Sequence, residues 1–573
     1  MVITHSTSRR EIIAAFESGT LATQLAERFG GLDRESMHAS VALCAELHNS
    51  GEIDLLRLVD DGSLLALNGP RFFMATHFLD SALPELDEPP ERVMTFVDKL
   101  VSRGGNDGAA NFPNVAFREW CKRDPRRSAV VVEAAVAGDP LANKFLLFAL
   151  EASMDAALAQ QIALNESDET AYAAIAALGR IPATNKESRA ERVATLSELL
   201  TREPDDKMRA AILHAAANLL TQQKQNGDDA LLHVIARAAD GGETLTIHYA
   251  AQALWLASGL LDDATVAALL AALRQLEPES KGTLEVLDCG LAGLVKNGFT
   301  ERAIGYVTDL VSATDTFRLE SFDDFMRALA ESDDTLGTVA IRWLQTGSAM
   351  LCDGLAHFLQ RDNLRGQSLK IPVVAIPKDH HVQVFVCRKA LGWFFFLPTT
   401  AASVLVAVLR EADDEAIEEL QWLLFDPLLM NYGGVAEYLA TIPAKDPVRK
   451  RIKAALAFHE AYIEGLKSVG TITELRPSEH RQQIHNRRSL EEMQQAHKNA
   501  RKQSVFFDIV HHSVLLYGRG AVSFVQDNGE TLRAVEMDLK THGVSMEYPR
   551  TETLDPIGLS YQLRLFQAEK LKQ

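Results

Sequence analysis

Between residues 115 and 347 the chain is broken again and again by Asp-Asp, Gly or Pro, and between the breaks apolar residues recur at helical spacing. No other feature limits the fold as strongly. In 207–220, Met208, Ala211, Ile212, Ala215, Ala216 and Leu219 fall on one stripe, with Lys207, Arg209 and Asn218 elsewhere, which predicts an amphipathic helix. Asp205-Asp206 precedes it, offering a side-chain cap and a negative charge at the positive end of the helix dipole. Asp228-Asp229, Asp262-Asp263 and Asp333-Asp334 stand in the same place before helices expected over 230–239, 264–276 and 335–344, and Thr300-Glu301 before 303–311.

Helices of about 12–16 residues joined by short loops cannot each close a core, so their apolar stripes must be buried against neighbours. This pattern resembles HEAT- and armadillo-type α-solenoids over about 120–350, continuing toward 465, at the level of architecture. The resemblance implies an extended surface suited to a protein partner. The Asp-Asp openings at 205, 228 and 262 are separated by 23 and 34 residues, so no clean period appears, and a generic helical bundle is the alternative.

A chain of 573 residues exceeds what one core supports. The expected fold class is mostly α: a solenoid-like array with an N-terminal helix-plus-hairpin unit and a small C-terminal α+β unit. The expected segments are 1–82 (helices and a β-hairpin), 83–114 (a loop-rich connection), 115–350 (helical repeats), 351–470 (apolar helices continuing the array), 471–503 (a polar basic helix) and 504–573 (the α+β unit). In the first, helices over 9–17, 21–29 and 35–48 precede two apolar runs, 53–59 and 63–67, around Asp60-Asp61-Gly62, a hairpin signal. Three helices then a hairpin resembles a winged-helix domain, but Asp33, Glu35 and Glu46 suit DNA poorly. In the last, Asn528-Gly529 joins strands expected over 521–526 and 531–540; 544–548 reads as a third strand and 557–571 as a covering helix.

The formal charge is −20, which disfavours broad contact with polyanions. It is unevenly spread: 471–573 holds 14 Lys+Arg and 13 Asp+Glu, whereas 1–470 holds 44 and 65. Five scattered cysteines without a CxxC pair fit a reducing compartment, and the N-terminal residues lack a secretory pattern, so a cytoplasmic protein is expected. Residues 391–409 carry no charge, but Pro398-Thr399-Thr400 divides them into two helices, so a membrane span is not expected.

P-loop, GxGxxG, HExxH, GxSxG and CxxC motifs are absent. Glu536, Asp538 and Lys540 alternate on one strand face, and with Asp527 upstream they resemble the PD-(D/E)xK nuclease core. That resemblance implies Asp527 and Asp538 holding Mg²⁺ and Lys540 positioning a water. The chain departs from it in having Gln526 before Asp527, which falls on the turn, and three alternating charges are ordinarily a solvated face. His480 and His485, His511-His512 and His380-His381 have spacings that do not put two ligands on one face, and His497 and His542 stand apart; no resident metal or other cofactor is expected. Arg476, Arg481, Arg487, Arg488, Lys498, Arg501 and Lys502 form a basic stretch open to nucleic acid or to an acidic protein. The reading that follows is a non-enzymatic scaffold binding another protein, compatible with a bacterial multi-protein defence or regulatory system and with self-association. The alternative is a nucleic-acid binder or metal-dependent nuclease.

Overall fold

The computed structural model describes residues 9–28, 34–105, 107–166, 168–222, 229–313, 316–361, 366–470, 478–503, 520–527, 531–538 and 549–571. It divides into two compact units, residues 2–332 and 333–573. The first contains helices α1 (Arg9–Glu17), α2 (Leu21–Arg28), α3 (Arg34–Asn49), α4 (Arg57–Asp60), α5 (Pro70–Ala82), α6 (Pro90–Gly104), α7 (Phe112–Arg123), α8 (Pro125–Val136), α9 (Pro140–Ser153), α10 (Ala156–Asn165), α11 (Asp168–Arg180), α12 (Lys186–Thr201), α13 (Asp206–Thr221), α14 (Asp229–Ala239), α15 (Thr244–Ala257), α16 (Asp263–Leu273), α17 (Lys281–Lys296), α18 (Thr300–Ala313) and α19 (Asp323–Ala330).

From α7 onward each odd-numbered helix packs on the next odd-numbered one, through α9, α11, α13, α15 and α17 to α19, while α10, α12, α14 and α16 pack in a parallel second layer. This two-layer stacking is an α-solenoid, as the helical spacing implies. Asp205 and Asp262 cap their helices by accepting the amides of Met208 and Thr265, both at 2.8 Å. Asp124, Asp139, Asp155, Asp413 and Asp555 do the same elsewhere.

The odd-numbered layer has points of close backbone approach. A Cβ on Gly179 would lie 2.5 Å from Ala215 Cα, and one on Gly290 would lie 2.9 Å from Leu254 Cβ. The second layer is looser. Between α16 and α18 runs a groove of about 420 Å³ lined by Ala267, Leu270, Ala271, Gly305 and Tyr306. Two ion pairs bridge it, Arg274 to Asp309 at 2.7 Å and Arg302 to Asp263 at 2.6 Å.

Polar contacts near the helix starts set the register of the tight layer. Thr170 of α11 bonds Asn143 of α9 (3.2 Å), and Tyr172 donates to Asp205 ahead of α13 (2.8 Å). Asp206 accepts the amides of Glu243 (2.7 Å), Leu245 (2.8 Å) and Thr246 (3.2 Å) where α15 begins. His248 bonds Thr283 of α17 (3.0 Å), and Asp288 accepts the amides of Asp324 (2.9 Å) and Phe325 (2.8 Å) of α19. Partial burial works against ionising Asp206, but its hydrogen bonds outweigh that and hold it below the usual carboxylate value. At Asp288 burial dominates and, with Asp323 and Asp324 nearby, pushes the carboxyl up to about 6.

The expected N-terminal hairpin is not formed. Ile53, Leu55, Leu56, Leu58 and Val59 are all buried, a helical rather than an alternating pattern. The Asp54 carboxylate accepts the amides of Leu56 and Arg57 and starts α4. Asp61-Gly62 closes that turn, with Gly62 at φ +78° and the Asp61 amide on Arg57 O at 2.8 Å. With no wing, the winged-helix resemblance ends at its three helices.

The second unit has α20 (Asp333–Thr346), α21 (Ala349–Gln360), α22 (His380–Phe394), α23 (Pro398–Glu411), α24 (Asp414–Leu423), a π-helical turn (Leu424–Leu429), α25 (Gly433–Thr441), α26 (Val448–Val469), α27 (Glu479–Gln503), strands β1 (Gly520–Asp527) and β2 (Thr531–Asp538), α28 (Arg550–Leu554) and α29 (Pro556–Ala568). Within this unit alternate helices stack, α20 on α22, α22 on α24 and α24 on α26. The uncharged stretch 391–409 is split between α22 and α23, as Pro398 requires, and among the described residues no helix is long and apolar enough to cross a membrane.

β1 and β2 pair antiparallel as expected. The expected third strand, 544–548, lies outside the described residues. The C-terminal helix does not join the hairpin in an α+β layer. Instead α29 packs on α22, burying Leu559 and Leu563. The wholly buried Lys389 ammonium donates to the Gln567 carbonyl (2.5 Å), Arg388 pairs with Glu569 (2.8 Å), and Gln567 donates to the Gly392 carbonyl (2.7 Å). A carbonyl at the end of a helix, satisfied by a cation 178 residues away, is a long-range contact with no local sequence signature.

Two outcomes follow. Gly179→Ala forces Ala215 backbone away and should cost about 1–3 kcal/mol in urea unfolding. Gly305→Ala on α18, where an added methyl meets nothing within 4 Å, should be neutral or stabilising by up to about 1 kcal/mol. Asp288 binds its proton more tightly folded than unfolded, where a carboxyl titrates near ~3.9. Its contribution is therefore full below pH ~4 and is lost as pH rises through about 6, a change on the order of 3 kcal/mol. Asp288→Asn should remove that slope. Urea unfolding of both proteins at about pH 5 and pH 7.5 checks it, and equal pH steps in the two would contradict it.

Candidate interaction surfaces

The tight layer presents a neutral, aromatic face. On α15, His248, Gln252 and Trp255 share one side by i, i+4, i+7 spacing, and on α13 His214 and Asn218 are one turn apart. The Tyr249 ring lies 4.8 Å from the His214 ring, His214 shares a hydrogen bond with Asn218 (3.0 Å), and Gln252 bonds His248 (3.0 Å). Burial lowers both imidazoles; nearby Arg180 and His248 push further on His214, which falls to about 4. Both are therefore uncharged at neutral pH. Trp255 stands 53% exposed beside Leu256, and on α11 Tyr172 is covered by the Lys207 ammonium at 4.4 Å. Such a face offers amide and imidazole hydrogen bonds around an indole, with Lys207 and Arg180 toward α11. The sequence reading singled out none of these residues; Trp255 on a helix otherwise rich in Ala and Leu was the available signal.

Among the described residues one set of side chains converges as metal ligands would: His48, Asp54 and Glu88. Its hydrogen bonds speak for a structural role. His48 Nδ1 accepts the Leu55 amide (3.1 Å), so the proton is on Nε2, which donates to Glu88 (3.0 Å). Arg92 binds Glu88 at 2.7 Å and also pairs with Asp54. Both imidazole nitrogens and the charge of both carboxylates are thus satisfied without an ion, and burial depresses the His48 pKa. His48 and Asp54 are six residues apart but Glu88 follows 34 residues later, and no spacing rule joins the three.

The residues singled out from sequence are placed as follows. Arg481, Arg487, Arg488, Lys498, Arg501 and Lys502 all lie on α27, a helix exposed along 479–502, together with His480, His485 and His497; Arg476 lies outside the described residues. Arg488 pairs with Glu492 at 3.0 Å. His380 and His381 stack at 3.8 Å between ring centroids, and His380 faces Glu415 at 3.3 Å. The hairpin register pairs Asp527 with Thr531 and Asp538 with Gly520, so the two aspartates sit at opposite ends, about 23 Å apart along the strands. The backbone does not bring them to one point. Lys540, His511, His512 and His542 lie outside the described residues. Cys44, Cys121 and Cys352 are buried, which pushes each thiol up to about 12.

No family model matches the chain, and no curated protein matches it. Among solved structures it is similar to UNC-45 from Drosophila melanogaster, at 13% identity over 81% of this chain and 78% of that one, with a TM-score of 0.29. It is also similar to an engineered protein, at 16% identity over 77% of this chain and 98% of that one, with a TM-score of 0.19. At these scores neither likeness carries an argument, and the solenoid assignment rests on the helix stacking described above.

Proposed function

We propose that this chain is a non-catalytic interaction scaffold whose tight helical layer receives a protein partner. The observation that carries the reading is Trp255, half in solvent on a rigid surface of uncharged His214, His248 and Gln252. Binding energy at protein interfaces concentrates on Trp, Tyr and Arg set in well-supported surroundings. Here the Trp255 amide lies 3.2 Å from where a Cβ on Gly290 would stand, so the backbone that carries the indole is closely held and little ordering cost remains to be met on association. The stacked architecture supports the same reading, because a solenoid exposes one face of every repeat to a partner.

A pull-down from the native host with the full-length protein tests it. A stoichiometric partner should be recovered, and Trp255→Ala should weaken its binding by about 30-fold, the equivalent of ~2 kcal/mol. Urea stability should stay within about 1 kcal/mol, because the indole is largely outside the core. Absence of any stoichiometric partner, or undiminished recovery by Trp255→Ala, would remove the reading.

A further inference from the structure

We propose that one face of α27 binds the phosphate backbone of nucleic acid, a second activity separate from the tight-layer surface. The helix runs 25 residues and is exposed along 479–502, Ile484, Leu490 and Met493 included. A helix of this kind gains almost nothing from packing. It is held by local contacts, with the Ser478 hydroxyl accepting the Arg481 amide (3.4 Å), Arg488 on Glu492 (3.0 Å) and Gln495 on Asn499 (3.3 Å). Among the described residues, α26 packs on α24, and after the hairpin the Thr551 amide bonds Asn431 at 2.7 Å.

The cations fall on one side of the helix, around Glu491. At about 100° per residue, Arg481, Arg487, Arg488, Lys498, Arg501 and Lys502 fall within an arc of about 160°. The opposite side carries Gln482, Asn486, Ser489, Met493, Ala496 and Ala500, all uncharged. Of the three carboxylates, Glu479 lies off the arc, Glu492 lies at its edge on Arg488, and Glu491 lies inside it. The cations extend over about 32 Å of helix axis, close to one turn of a nucleic-acid duplex. Four of the six are arginines and two are lysines, and either cation neutralises a phosphate.

A regularly charged polyanion satisfies such an array along its whole length, whereas an acidic protein surface would have to supply carboxylates at matching intervals. The acidic excess in residues 1–470 disfavours phosphate contact there.

The test is fluorescence anisotropy of the full-length protein with a duplex DNA of about 20 base pairs and a single-stranded RNA of about 20 nucleotides. Affinity should fall with salt, with a log–log slope of about −3 to −5 between about 50 and 200 mM, as expected for three to six neutralised phosphates. The triple variant Arg487→Glu, Lys498→Glu, Arg501→Glu should lose at least about 10-fold, and Arg487→Lys, Lys498→Arg, Arg501→Lys should stay within about 2-fold, with helix content by circular dichroism unchanged in both. No binding to either probe at low salt, equal binding by the reversal variant, or equal displacement by polyglutamate at matched charge would each overturn the proposal, the last assigning the face to an acidic protein.

Discussion

Everything in residues 112–330 depends on how closely the odd-numbered helices approach one another. With Gly179 against Ala215, and Gly290 against Leu254, there is no room for a methyl group. Backbones at that separation exclude water and fix the relative height of neighbouring helices, because a shift would bring side chains into contact with backbone. The aspartate and hydroxyl contacts at the helix starts then select one register among those that packing allows. Asp206 and Asp288 each reach from one helix to the free amides of the helix stacked on it, so a capping interaction that is ordinarily local becomes a joint between repeats.

The carboxyls at its two best-defined points titrate differently. Asp206, with three amide donors, is held as a carboxylate, while Asp288, more deeply buried and beside two other acids, is poised near neutrality. The tight layer therefore combines a sterically fixed spacing with contacts that respond differently to pH. Its exposed side inherits the rigidity. Trp255 and the neutral imidazoles beside it sit on helices that have little freedom to yield, which is the condition under which a few exposed side chains can carry a binding energy. The second layer, with its groove between α16 and α18 spanned by surface ion pairs, has no such constraint.

In the second unit the same stacking is closed by a segment from the far end of the chain. A fully buried lysine is costly unless its ammonium finds acceptors, and the carbonyls that end α29 supply one. Gly392 lets the two backbones touch. Docking of α29 anchors residues 556–568 on α22, while α27 is exposed along 479–502.

Helix positions were legible from residues alone, because apolar spacing, Asp caps and Pro or Gly breaks act over a single turn; α13, α16 and the division of 391–409 follow from such signals. The repeat was not: α11, α13, α15 and α17 begin at 168, 206, 244 and 281, steps of 38, 38 and 37, a period that shows only once the structure tells the layers apart, because the Asp-Asp openings at 205, 228 and 262 mix the two layers. The basic stretch on α27 was legible because it is contiguous. What tertiary structure decided was everything that joins distant residues. Asp60-Asp61-Gly62 ends a helical turn instead of a hairpin because its neighbours are buried on all sides, α29 covers α22 instead of the β-strands because Lys389 and Gly392 await it, and Trp255 gains its setting from α13 and α17. Local propensity chooses the element, but only burial against a partner chooses its place, and the partner's position is not written in the segment itself.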